Sequence, residues 1–243
     1  MDMRHARYDN VPNATARSIL VRLALQPICA IDGRSLVLYR RCMTSMRFAG
    51  EFRLSANKRN ELILDEEISI KLNQLILMRA IDVLTDNPAY RLACTISHTS
   101  MRSDANWDVI FSRLADNVAL ARRLIVQLDD TLLLSIAPVR AFATRLRQCG
   151  CLLGVCGFGG KASGLGCCAF VLPDIVELHP SLLWRARDSS AAAMQLRSFL
   201  ALAREMTSDV VVSGVAGEAD VRLAAACGAE WFHGPYVPVS VPF

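Results

Sequence analysis

Eight short runs, most of them nearly all apolar, alternate along this chain with longer stretches of helical periodicity, and no Pro/Gly/Ser-rich linker interrupts the series. The runs lie at residues 22–26, 35–39, 91–96, 124–128, 151–156, 174–178, 209–213 and 230–233. A run that is apolar at every position reads as a strand covered on both faces. Helical spacing fills the intervals. It is clearest at 61–84, through Leu64, Ile68, Leu72, Leu75 and Ile76, and recurs at 106–118, 138–148, 190–205 and 218–227. Pro138 suits a first helical turn, and Gly150 and Gly228 suit the positions just past helix ends. This order predicts an α/β fold with a single closed barrel over residues 18–243, preceded by a tail at 1–17. An open doubly wound sheet is the rival arrangement of the same elements. Asp32-Gly33, between the first two runs, is a tight-hairpin signal, so one strand near the start is expected to run antiparallel.

Composition narrows the function classes. With 53% hydrophobic and 21% charged residues, the chain is not a disordered or low-complexity one. Its 27 Lys+Arg against 23 Asp+Glu leave +4, too mild a charge to hold nucleic acid or a membrane through bulk electrostatics. No uninterrupted apolar run approaches the roughly 20 residues of a spanning helix. The opening MDMRHARYDNVPNATARS is polar and carries no secretory stretch, so a cytoplasmic location is expected. The nine cysteines are odd in number, and several sit inside apolar runs, which is how reduced thiols behave in a cytosolic core. No pair of CxxC knuckles is present, and neither a disulfide framework nor a structural zinc site is expected.

In such folds chemistry gathers at the C-terminal ends of the strands. Those ends carry Arg40-Arg41, Thr95, Gln127, Cys156-Gly157, Glu177 and His179, Ser213, and His233. Glu177 is the main carboxylate, with Asp129 and Asp130 nearby. Two cages for hard dications need more anionic oxygens than these. Successive strand side chains face opposite ways, so only one of Arg40 and Arg41 points into the barrel. Arg40 has two readings, a phosphate contact or an ion pair with Glu177 across the barrel mouth. Cys156, His179 and His233 are zinc-type ligands without a shared close spacing. Glu177 and His179 have the spacing of an acid–base pair but no evident nucleophile. Gly157-Phe158-Gly159-Gly160-Lys161 lacks the Walker spacing. Met194, Leu196, Phe199 and Leu200 form an apolar helix face that reads as core packing.

The ordered motifs resemble the EAL domain family, the cyclic di-GMP phosphodiesterases, from about residue 22 to the end. Gln26-Pro27-Ile28 and Gly33 resemble the opening QPI and its turn glycine. Tyr39-Arg40-Arg41-Cys42 falls on the EAL motif, Thr95-Ile96-Ser97 on NLS, and Gln127-Leu128-Asp129-Asp130 on ExxE. Cys156-Gly157-Phe158-Gly159, with Ser163 and Leu165, falls on DDFG and its trailing residues. Asp174, Glu177 and His179 fall on DxxKxD, Ser213-Gly214-Val215-Ala216 on EGVE, and Gly228 with His233-Gly234 on the terminal glycine and QG.

The resemblance implies a TIM-like (β/α)8 barrel of the EAL type. It also implies where metals and catalytic groups sit in active members, and there the residues differ. The metal-holding positions read Arg40, Thr95, Gln127, Cys156/Gly157 and Ser213; the catalytic lysine position is Glu177, the following aspartate is His179, and the phosphate-binding arginine is Thr44. The expectation is a degenerate, non-catalytic domain with no metal and no cofactor. Its candidate ligand pocket comprises Gln26, Arg40, Thr95, Gln127, Glu177, His179, Ser213 and His233. Small degenerate relatives act as bacterial regulators that bind other proteins, so the expected partner is a transcription regulator or signalling protein, in motility or biofilm control. A cyclic di-GMP receptor without hydrolysis is the alternative, and an active phosphodiesterase the third. The resemblance also admits a homodimer. No direct contact with nucleic acid or membrane is expected.

Overall fold

The computed structural model describes residues 19–48, 66–97, 100–101, 107–129, 136–160 and 172–240. Eight strands close into one barrel in sequence order. They are β1 (Ile19–Ala30), β2 (Val37–Phe48), β3 (Leu92–Ile96), β4 (Leu124–Asp129), β5 (Leu152–Phe158), β6 (Ile175–Leu178), β7 (Asp209–Ser213) and β8 (Trp231–His233). The helices among the described residues are α1 (Glu66–Asp86), α2 (Asp108–Ala115), α3 (Val118–Ala121), α4 (Ile136–Gln148), α5 (Pro180–Ala186), α6 (Ser190–Arg204) and α7 (Glu218–Ala226). None is long and apolar enough to cross a membrane.

β1 runs antiparallel to both β2 and β8, as the Asp32-Gly33 turn foretold. Every other neighbouring pair is parallel. The β1–β8 seam excludes the open sheet. Gly33 sits at φ +77° in that turn, where the Arg34 amide donates to the Asp32 carboxylate. The C-terminal segment extends the seam, because the backbones of Leu25 and Ser240 exchange two hydrogen bonds.

The strands are apolar on both faces because two cores meet across them. Leu92, Cys94, Leu124, Val126, Leu153, Val155, Val176 and Val212 face the helix layer in the larger core. Ile28, Tyr39, Ala93, Ile125, Ile175 and Val211 pack a separate layer inside the barrel. That layer plugs the barrel, so the interior positions one step further along β2 to β8 sit on a solid floor.

Two helical segments differ from the sequence expectation. The helix expected at 106–118 is two, broken at Asp116-Asn117, where the Asn117 side chain accepts the Leu120 amide and starts α3. α5 was not foreseen. It begins at Pro180, and the His179 ring accepts the Ser181 amide as its cap. Residues 1–17, Leu64, Asp130, Lys161, Ser163, Leu165, Cys167 and Cys168, on which sequence readings also fell, lie outside the described residues.

Candidate functional site

Above the apolar floor the barrel interior turns polar. Strand alternation puts Gln26 of β1, Arg41 of β2, Thr95 of β3, Gln127 of β4, Glu177 of β6, Ser213 of β7 and His233 of β8 on the inner face, two residues beyond the floor positions. Glu177 is the hub and is 3% exposed. Its Oε1 accepts from Arg41 Nη1 at 2.5 Å, from His233 Nε2 at 2.7 Å and from Ser213 Oγ at 2.8 Å. Its Oε2 accepts from Gln127 Nε2 at 3.1 Å. Donors from β2, β7 and β8 thus converge on Oε1, and one from β4 reaches Oε2.

The remaining contacts extend the network. Gln127 Nε2 also lies 3.3 Å from the Tyr39 hydroxyl, and Thr95 Oγ1 donates to Gln127 Oε1 at 3.3 Å. Gly154 makes room for this glutamine, since a Cβ there would stand 2.9 Å from Gln127 Cγ. Cys156 is buried, with its thiol directed to the Leu128 carbonyl at 3.6 Å. His233 Nε2 lies 2.7 Å from Glu177 Oε1 and 3.3 Å from Arg41 Nη1; its Nδ1 is buried without a partner among the described residues.

The electrostatics follow from one anion enclosed by donors. Burial pushes the Glu177 carboxyl up, but the Arg41 charge, the His233 ring and the hydrogen bonds from His233 and Ser213 outweigh it, and its pKa falls to about 2. Burial disfavours the Arg41 charge, yet Glu177 more than restores it and holds the guanidinium above its ordinary value. Burial, together with the Glu177 charge, pushes the Tyr39 phenol well above its usual range.

Two sequence readings change here, those of Arg40 and His179. The cation facing Glu177 is Arg41. Arg40 points to the helix side, with its guanidinium 4.0 Å over the Tyr90 ring. The cause is a bulge: β2 carries one more residue than β1 between the pairs Pro27–Arg40 and Cys29–Val37. Without that residue Arg40 would oppose Gln26; with it, Arg41 does. His179 does not pair with Glu177. β6 ends at Leu178, so alternation stops there and His179 turns out to cap α5. The histidine on Glu177 is His233, which lies 56 positions away in sequence. Gln26 Nε2 is engaged by the Gly234 and Val237 carbonyls at 2.8 and 3.3 Å, holding the C-terminal segment. Cys156, His179 and His233 are not brought together as a metal-ligand set. Thr44 is exposed on β2.

Sequence reasoning missed Arg41 and Tyr39 as interior residues. The apolar run stops at Tyr39, and the bulge that sets the parity of Arg41 has no local signal.

Solved structures share this architecture. An EAL domain protein from Listeria monocytogenes superposes with a TM-score of 0.77 at 15% identity, over 91% of this chain and 89% of the other. The FimX EAL domain of Xanthomonas citri, solved in complex with c-diGMP, gives 0.75 at 17% identity over 91% and 88%. The S helix-GGDEF-EAL region of Vibrio cholerae LapD, bound to c-di-GMP, gives 0.76 at 18% identity, over 88% of this chain and 52% of that one. No curated protein matches the sequence. The EAL domain model matches residues 10–238, nearly the whole barrel and its closing segment, and the chain therefore belongs to the EAL domain family.

Proposed function

We propose that this chain is a non-catalytic EAL domain that acts in bacterial cyclic di-GMP signalling through contact with a protein partner. The observation that carries this reading is the Arg41–Glu177 pair. Active members of the family hold metals at the strand ends, and the residues at this barrel's strand ends do not fit such ions. Among the residues whose side chains are described, the interior layer offers one carboxylate, and four donors already occupy it. The other groups are a guanidinium, two amides, two hydroxyls, a thiol and an imidazole. Mg²⁺ and Mn²⁺ want several anionic oxygens, and a fixed cation 2.5 Å from the lone carboxylate repels them. Without a metal nothing in the layer lowers the pKa of a water toward neutrality. Glu177 at the family's lysine position holds its proton only under strong acid and is no substitute.

The unit that does this work is residues 18–243, in the cytoplasm, with no cofactor. The test is hydrolysis of cyclic di-GMP by the purified chain with added Mg²⁺ or Mn²⁺. The expected result is no linear product. Product formation abolished by EDTA would overturn the reading.

A second reading, a receptor that binds cyclic di-GMP without hydrolysing it, has support from the FimX and LapD structures, both solved with the nucleotide. Two features weigh against it: the Arg41 charge is already committed to Glu177, and the Gln26 amide to the C-terminal segment. Calorimetry separates the two. No heat of binding at high micromolar nucleotide removes the receptor reading.

A further inference from the structure

Behind the polar layer, on the helix-facing side of the sheet, two thiols meet. β2 and β3 pair in parallel at Arg40–Leu92 and Arg41–Ala93. One step further the register brings Cys42 beside Cys94, and alternation turns both away from the barrel interior into the larger core. Both are free thiols, and their side chains are hydrogen-bonded to each other. Cys29, Cys149, Cys156 and Cys227 instead direct their thiols to main-chain carbonyls. Paired strands run about 4.8 Å apart, within the roughly 4.4–6.8 Å of Cα separation that a disulfide spans.

The two sulfurs are not equivalent. Cys94 is 0% exposed and Cys42 is 7% exposed. The hydrogen bond with Cys42, together with burial, holds the Cys94 thiol well above its ordinary value, so Cys94 keeps its proton and donates toward Cys42. Cys42 is then the sulfur that a small oxidant meets first, and Cys94 is placed to attack behind it.

We propose that Cys42 and Cys94 are a redox pair that a hydroperoxide closes to a disulfide. The Cys42 sulfur attacks the terminal peroxide oxygen and the O–O bond breaks. This gives a sulfenic acid, and the departing oxygen leaves with the thiol proton as an alcohol, or as water from hydrogen peroxide. The Cys94 sulfur then attacks the sulfenic sulfur, the S–O bond breaks, and the hydroxyl leaves as water with the Cys94 proton. The two thiols lose two electrons, which the peroxide gains. A dithiol reductant reverses the step by exchange. The new bond staples β2 to β3 one residue beyond Arg41, and so fixes the strand that carries the cation of the polar layer.

Two buried cysteines side by side otherwise serve as small core hydrophobes, and oxidation of the folded chain separates the two roles. The purified full chain, reduced and then freed of reductant, is treated with hydrogen peroxide, alkylated and digested with trypsin. Cleavage at Arg41, Arg47, Arg91 and Arg102 isolates residues 42–47 and 92–102, each with one cysteine. The expected dominant crosslink is these two peptides joined, lighter by two hydrogens than their sum and separated again by dithiothreitol. Unchanged circular dichroism verifies that the oxidised chain is folded. The same treatment in guanidinium is expected to scatter crosslinks over the nine cysteines. Cys42→Ala is expected to lower oxidation of Cys94 in the folded chain by about tenfold or more. A folded wild-type chain in which both thiols stay open to alkylation after later unfolding overturns the proposal. So does a Cys42–Cys94 crosslink that forms only in guanidinium, or a folded chain in which either cysteine pairs elsewhere.

Discussion

Arg41 Nη1 and Glu177 Oε1 stand 2.5 Å apart inside the barrel, joined across 136 positions of sequence. A buried pair of this kind is a commitment: each member is tolerated because the other is present. Removing Arg41 leaves the buried Glu177 carboxylate without its cation, and removing Glu177 leaves the partly buried Arg41 without its anion.

Arg41→Ala and Glu177→Ala are each expected to lower stability by about 3 kcal/mol or more in urea denaturation. The double variant Arg41→Met/Glu177→Leu is expected to lose far less than the sum of the two single losses. Arg40→Ala is the control, since it removes only a cation–π contact on the helix side, and its cost is expected at about 0.5–1 kcal/mol. Equal losses at Arg40 and Arg41 would contradict the bulged register.

Acid titrates the same pair. Glu177 has a pKa of about 2 in the folded chain against 4.5 for the unpaired group, so the unfolded state binds the proton first. Its stabilising contribution is complete above about pH 4.5 and is lost as pH falls toward 2, with a slope approaching about 1.4 kcal/mol per pH unit. Denaturation followed between pH 5 and 2.5 is expected to show this slope in the wild type and a shallower one in Glu177→Gln. Asp220, also held low by Arg187 and the Ala216 amide despite its burial, contributes its own acid sensitivity and survives in that variant.

Gln26 ties the C-terminal segment to the barrel through the Gly234 and Val237 carbonyls. Gln26→Ala leaves the buried Val237 carbonyl without its donor, while the Gly234 carbonyl keeps the Val237 amide. Amide hydrogen exchange of residues 234–240 is expected to rise at least tenfold, while β4 to β7 keep their protection. Unchanged exchange in the segment would show that the Leu25–Ser240 bridge and the Tyr236–Val215 hydrogen bond hold it without Gln26.

Gly154→Ala tests how tightly the polar layer is packed. The new methyl meets Gln127 Cγ at 2.9 Å and forces that side chain off Glu177 Oε2. A loss of about 1–3 kcal/mol is expected by thermal denaturation, with the smaller figure if Gln127 finds another rotamer.

The barrel itself was legible in the sequence because strands β3 to β7 are buried on both faces and so read as mostly apolar runs, broken chiefly at Thr95, Gln127, Glu177 and Ser213. β1 and β2 are each 12 residues long, more than twice the length of the runs seen at 22–26 and 35–39. β2 in particular carries Arg40, Arg41 and Thr44, so the apolar signal ends at Tyr39 although the strand continues. α5, with seven residues, is too short for periodicity to declare it. The candidate site was legible as a set of strand ends, and Thr95, Gln127, Glu177, Ser213 and His233 lie in one layer as their spacing implied. The failures at Arg40 and His179 share a cause. Which way a side chain faces depends on where a strand bulges or stops, and both are decided by neighbouring strands rather than by the residues themselves.

The proposal that this barrel takes no dication is tested directly by crystals soaked in manganese and measured at a wavelength where that metal scatters anomalously. The expected map has density for the Arg41 guanidinium against Glu177 and no anomalous peak in the layer that also holds Thr95, Gln127, Ser213 and His233. A peak within about 2.2 Å of a Glu177 oxygen, with Arg41 swung away, would contradict it.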